Sequence, residues 1–176
     1  IDRPLKEIGG KGLFTREIEA DMIAGKIDIA VHSMKDMPTL QPEGLILDTY
    51  LPREDVRDAF ISPTAKSLAD LSAGTVVGTS SLRRRAQLML KRSDLEVVEF
   101  RGNLQTRLMK LDQGVAAATF LAMAGLRRLR MDDVPHTAIE TDVMLPAVAQ
   151  GAIGIERRVE DTNVAEMLEA IHDTPT

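Results

Sequence analysis

The chain has 176 residues, 44% hydrophobic and 28% charged, enough for a sizeable core and near the boundary between one domain and two. It contains no cysteine, which excludes disulfides, zinc-thiolate sites, a cysteine nucleophile and thioether attachment of a cofactor within these residues. A net charge of -5 argues against a general nucleic-acid binder, and no apolar run is long enough to span a bilayer. Any anion site must therefore be local. With Ile1 first and no export signal, the chain reads as cytoplasmic and cut at both ends.

Helical and strand periods alternate. Leu13, Phe14, Ile18, Met22 and Ile23 recur at helical spacing, and Gly25 supplies a stop before the apolar run 27–31, read as a buried strand. Strands follow at 45–50 and 58–61, separated by the polar connection Pro52-Arg53-Glu54-Asp55, where a domain crossing is expected. Next come a strand at 75–78, a helix at 81–91, a strand at 95–100 and a helix at 103–113. The pattern closes with a strand at 116–119, a helix at 121–129, a strand at 152–155 and a helix at 163–171. This rhythm makes the class α/β.

Four segments could carry chemistry. In Gly78-Thr79-Ser80-Ser81-Leu82-Arg83-Arg84-Arg85, hydroxyls and unsatisfied N-H groups stand where a strand gives way to a helix, a setting that attracts anions. Three arginines in a first helical turn oppose the macrodipole, a conflict that a bound polyanion would relieve. The alternative is a solvated charged face capped by Ser81. Arg101 and Arg107 flank the Gly102-Asn103 turn and repeat the design, because guanidinium forks bind carboxylates bidentately. Surface arginines beside ordinary caps are the plainer reading of that pair.

His32-Ser33-Met34-Lys35-Asp36 emerges at a strand end, where a carboxylate beside a lysine can stabilise a cation or move a proton. The competing reading is an exposed Lys35–Asp36 ion pair and a satisfied His32. Gly9-Gly10-Lys11-Gly12 is a glycine-rich turn that brings a lysine to a helix start. Neither a Walker loop nor G-x-G-x-x-G is present, so a nucleotide is not indicated, and His136 and His172 belong to no metal-ligand constellation. No metal is expected.

Together these segments resemble the porphobilinogen deaminase (hydroxymethylbilane synthase) family of tetrapyrrole biosynthesis. The motifs run in order: Gly9 to Phe14, Asp28 to Asp36, Arg53-Glu54-Asp55 with Arg57-Asp58-Ala59-Phe60, Gly78 to Arg84, Arg101-Gly102-Asn103, Thr106-Arg107, and Pro146-Ala147-Val148 with Gln150-Gly151. The resemblance covers about Lys6 to Arg157. It implies two periplasmic-binding-protein-like (type II) domains with the active cleft between them, one formed by 1–52 and 150–176, the other by 53–149. It also implies a third, cofactor-bearing domain, expected to be absent from this sequence.

The implied activity joins four porphobilinogen molecules with loss of ammonia, on a dipyrromethane cofactor, to give hydroxymethylbilane. By the resemblance, Asp36 is the catalytic carboxylate; Ser33, Lys35, Asp36, Thr79, Ser81, Arg83 and Arg84 contact the cofactor; and Lys11, Arg101, Arg107, Arg128 and Gln150 line the substrate path. The cysteine that holds the cofactor in the family has no counterpart here, so these residues alone are expected to be inactive. Val56, Ala117 and Ala149 stand where proline, aspartate and glycine are usual in the family. The partners expected are a small-molecule substrate, with no nucleic acid and no membrane, for a cytoplasmic monomer. Two other functions share the fold type, a non-catalytic polycarboxylate or oxyanion binder and a regulatory ligand domain, and fold alone does not separate them from the enzyme.

Overall fold

A computed structural model describes residues 13–176. The chain divides into two compact units, one running up to Glu54 and resuming at Ala149–Thr176, the other spanning Asp55–Val148.

In the first unit, helix α1 (Leu13–Ile23) is followed by strands β1 (Ile29–Ser33) and β2 (Leu45–Tyr50). Strand β8 (Ile153–Arg158) and helix α5 (Thr162–Glu169) complete it. The three strands form an antiparallel sheet with β8 in the centre, β1 and β2 on its flanks. Gly25 ends α1 with φ +70°, and its N-H donates to Met22 O at 3.0 Å, the left-handed stop that the sequence predicts.

Of the α1 residues whose side chains are described, Met22 is buried as its apolar periodicity suggests, Ile18 and Ile23 are exposed, and the polar Thr15 and Glu19 join the inward face. Strand β1 also differs from the expected buried run 27–31: it begins two residues later and alternates, burying Ala30 and His32 and exposing Ile29 and Val31. Polar groups stand on both inward faces. His32 Nε2 lies 3.0 Å from Glu156 Oε2 of β8, and both side chains are buried.

Burial raises the Glu156 carboxyl above its ordinary value, opposed by the His32 hydrogen bond and reinforced by the charge of Glu19. The folded chain then holds this proton to higher pH than the unfolded one. Its contribution to stability therefore falls as pH rises from the unfolded carboxyl value of about 4.3 towards the folded value, and stays lost above it. Glu156→Gln is expected to flatten that part of the curve of melting temperature against pH.

The second unit holds β3 (Asp58–Ile61), β4 (Val76–Gly78), α2 (Leu82–Lys91), β5 (Glu96–Val98) and α3 (Leu104–Asp112). Strand β6 (Ala118–Ala122), helix α4 (Met123–Arg128) and strand β7 (Thr137–Ile139) follow. They build a sheet of order β5-β4-β6-β3-β7, in which β4 is parallel to β5 and β6, and β3 is antiparallel to β6 and β7. One apolar layer centres on Phe60, Val77, Leu88 and Phe120, another on Phe100, Leu111, Leu121 and Leu126. Gly78 is required where β4 passes Phe100, since a Cβ there would overlap the buried ring.

Ala149 has φ +57°, a left-handed conformation that strains a side chain bearing Cβ. This is where the resemblance expects glycine. Ala149→Gly is expected to raise stability by about 0.5–1 kcal/mol, the relief of that strain less the added freedom of the unfolded chain. Chemical denaturation checks it.

Candidate anion-binding and catalytic site

Strand direction assembles the arginine-rich loops at one end of the second unit's sheet. Because β4 and β5 are parallel, the segments after Gly78 and after Val98 leave the same sheet end. The antiparallel β3 begins there, with Asp58 opposite Ala122 of β6. Helices α2, α3 and α4 also start at that end. Ser81 caps α2 by accepting from Arg84 N-H at 3.4 Å, and Asn103 caps α3 by accepting from Thr106 N-H at 2.9 Å. Thr79, buried, accepts from Ser81 N-H at 3.2 Å, so its hydroxyl hydrogen and that of Ser81 are available to an acceptor.

Two of the three α2 arginines share one counter-charge within the unit, which eases but does not cancel the conflict that the sequence suggests. The Asp58 carboxylate, fully buried, accepts from Arg84 Nη2 through one oxygen and from Arg83 Nη2 through the other, both at 2.7 Å. Arg84 also donates to Phe120 O at 2.9 Å, and Arg83 to Leu145 O. Arg84 is therefore a buried structural cation, while Arg83 stays half-buried. The Arg84 Nε, also buried, has no hydrogen-bond partner among the described residues.

Arg101 and Arg107 lie where β5 leads into α3. Arg107 is half-buried and folds back so that Nε donates to Gly102 O at 2.9 Å; exposed Arg101 reaches Glu99 at 3.3 Å. Burial, and then the like charge of Arg84, pull the Arg107 guanidinium below its ordinary value. This part of the second unit thus holds more positive charge than its own carboxylates offset, which suits a ligand with several carboxylates. Gly102, at φ +123°, permits the turn, and a Cβ there would meet Thr106 Cγ2 at 2.6 Å.

A second bracket, missed at the sequence level, fixes the start of β3. Asp55 accepts from Arg57 N-H at 2.9 Å and from the Arg57 guanidinium at 2.8–3.2 Å, and Arg127 adds an ion pair at 3.2 Å. The Arg57 hydrogen bonds hold the Asp55 carboxyl below the usual range. Arg128 ends α4 and is exposed.

In the first unit, Ser33 ends β1 and the single 3-10 turn Met34–Asp36 presents Lys35, half-buried, and Asp36, exposed. Gln150 is fully buried, and its carbonyl accepts from Arg53 Nε at 3.1 Å. Lys11 and its glycine-rich turn lie outside the described residues. Among the described residues, no cluster of acidic or histidine side chains could hold a metal ion, and no helix is long and apolar enough to cross a membrane.

Residues 1–166 match the family model described as porphobilinogen deaminase, dipyromethane cofactor binding domain. The chain belongs to the porphobilinogen deaminase family. A porphobilinogen deaminase of Paracoccus denitrificans (strain Pd 1222) is 68% identical over 173 residues, covering 98% of this chain and 55% of that protein. A chloroplastic porphobilinogen deaminase of Oryza sativa subsp. japonica is 57% identical, covering 100% and 49%. The chain thus spans about half the length of the curated relatives it matches.

Solved structures share the type II periplasmic-binding-protein-like fold. An ancestral cationic amino acid solute binding protein aligns with TM-score 0.53 and 13% identity, over 87% of this chain and 65% of that one. The probable amino-acid ABC transporter extracellular-binding protein ytmK of Bacillus subtilis aligns with TM-score 0.51 and 13% identity, over 90% and 68%. The cation-rich sheet end, with its buried unpartnered Arg84 Nε, fits the carboxylate-bearing dipyrromethane of this family, while the absence of cysteine means that none of these residues is its thioether anchor.

Proposed function

We propose that the protein carrying this chain is a cytoplasmic, monomeric transferase that converts four porphobilinogen molecules and one water into hydroxymethylbilane and four ammonia. Family membership at 68% identity supports the reaction class, and one observation supports the division of labour: an arginine pair sharing one carboxylate beside further cations at one sheet end. Porphobilinogen bears an acetate and a propionate, so each added unit brings two carboxylates. Thr79, Ser81, Arg83, Arg101 and Arg107 supply donors and positive charge to match them. Arg84 supports that surface from beneath while Asp58 holds its charge. Thr79, Ser81, Arg83, Arg84 through its unpartnered Nε, Ser33, Lys35 and Asp36 would hold a dipyrromethane, which supplies the primer when bound.

Asp36 carries the reactive role. As the C-N bond of the aminomethyl group breaks, nitrogen departs as ammonia and positive charge spreads over the methylene carbon and the pyrrole nitrogen. A carboxylate close to that nitrogen stabilises the cation. The methylene carbon then bonds to the unsubstituted α-carbon of the next pyrrole, and the proton lost from that carbon leaves through a base, a second role for the same carboxylate. Arg128, Gln150 and Lys11 are assigned to the substrate path, and the units that break after Glu54 and Val148 are assigned as the two domains. The test is incubation with porphobilinogen. The expected result is one ammonia released per porphobilinogen consumed, with a linear tetrapyrrole as product; binding without ammonia release would instead establish a passive polycarboxylate binder.

A further inference from the structure

We propose that Gly154 and Met34 form a seat that positions the turn bearing Asp36, making both of them positioning residues for the reaction assigned above. Ser33 precedes the turn without a side-chain cap, Met34 N-H donates to Ala152 O at 3.1 Å, and Met37 N-H donates to Met34 O at 3.2 Å. Met37 is buried, so the turn is pinned at its far end. Its near end is pinned by Met34, whose side chain lies over β8 where Gly154 leaves space.

That space is specific. A Cβ at Gly154 would overlap Met34 Sδ, lie 3.3 Å from Met34 Cγ and 2.5 Å from Leu47 Cδ2. Gly154 pairs with His32 on one side and Tyr50 on the other, so its backbone sits in the middle of the sheet and cannot yield as a loop would. Its φ is not in the left-handed region, so conformational freedom is not the reason for glycine at this point. Close approach is. Asp36 stands between the two pins, and a displacement of about 1 Å in a reacting group lowers turnover by about 100-fold when binding is unaffected.

The inference rests on Asp36 acting in turnover, so the test carries two readouts. In the protein carrying this chain, with porphobilinogen as substrate, Met34→Ala is expected to lower kcat by about 10- to 100-fold with KM within about two-fold. Met34→Leu, which refills the seat, is expected to recover most of that loss, and Gly154→Ala to reproduce it. The second readout is independent of activity: the backbone amide resonances of Lys35 and Asp36 are expected to shift in Met34→Ala and to return in Met34→Leu. A folded Met34→Ala protein with wild-type kcat, or with unmoved Lys35 and Asp36 resonances, would overturn the seat. Absence of ammonia release in the wild type would instead overturn the functional reading, leaving the resonances to decide the seat.

Discussion

Replacing Asp36 by asparagine is expected to lower ammonia release from porphobilinogen by about 100- to 10,000-fold, the range removed when a positioned acid-base group is lost. The substitution keeps size and shape and removes the negative charge and the proton acceptor. Asp36 is exposed on a pinned turn, so stability should change by no more than about 0.5 kcal/mol. Steady-state kinetics beside thermal denaturation separates the two effects. A large kinetic loss at unchanged melting temperature assigns the carboxylate to the chemistry; a parallel loss of both would place its role in the fold.

The second large effect belongs to Asp58. This carboxylate is fully buried and holds Arg83 and Arg84 through separate oxygens at 2.7 Å. Asp58→Asn keeps the shape of the group but leaves Arg84 buried without a counter-charge, a loss of about 3–5 kcal/mol. In a unit of this size the melting temperature should fall by about 10 °C or more. Removing the cation as well limits the damage. Arg84→Met combined with Asp58→Asn is expected to be more stable than Asp58→Asn alone, because no uncompensated buried charge remains and Arg83 is half-exposed. Equal stability of the single and double variants would show that charge burial is not what Asp58 relieves.

Local signals carried much of the fold. The strands at Leu45–Tyr50 and Asp58–Ile61 have the bounds that their apolar and β-branched residues predict, and Ser81 and Asn103 stand as N-caps where strand patterns turn into helical ones. What escaped was long-range. The strand Thr137–Ile139 is a three-residue edge element, too short to show a period, and it exists through its pairing with Asp58–Phe60. The inward face of β1 carries a buried partnership between residues 124 positions apart, His32 and Glu156. A satisfied histidine was the plain reading of His32, and its partner lay far beyond any local pattern.

The arginine segment shows the same division. Hydroxyls, helix starts and guanidinium groups at strand ends were legible, and the parallel β4–β5 pairing brings them to one sheet end. The conflict of three cations in a first turn is eased for Arg83 and Arg84 by a counter-charge that lies 25 and 26 residues earlier, in Asp58. The signal available was Asp58 itself, a carboxylate opening an otherwise apolar strand whose four residues are all buried. A charge in that position needs a partner, and the nearest strand ends offered only arginines.

Calorimetric titration of porphobilinogen into the Asp36→Asn protein, with and without Arg107→Gln, reads directly whether the second unit's cations hold substrate carboxylates. The slowed turnover of this background lets the heat report binding ahead of reaction. Arg107→Gln is expected to weaken binding by about 10-fold, equivalent to about 1.4 kcal/mol, and to reduce the dependence of affinity on salt. An affinity and a salt dependence unchanged by Arg107→Gln would contradict the assignment of that cation to the substrate.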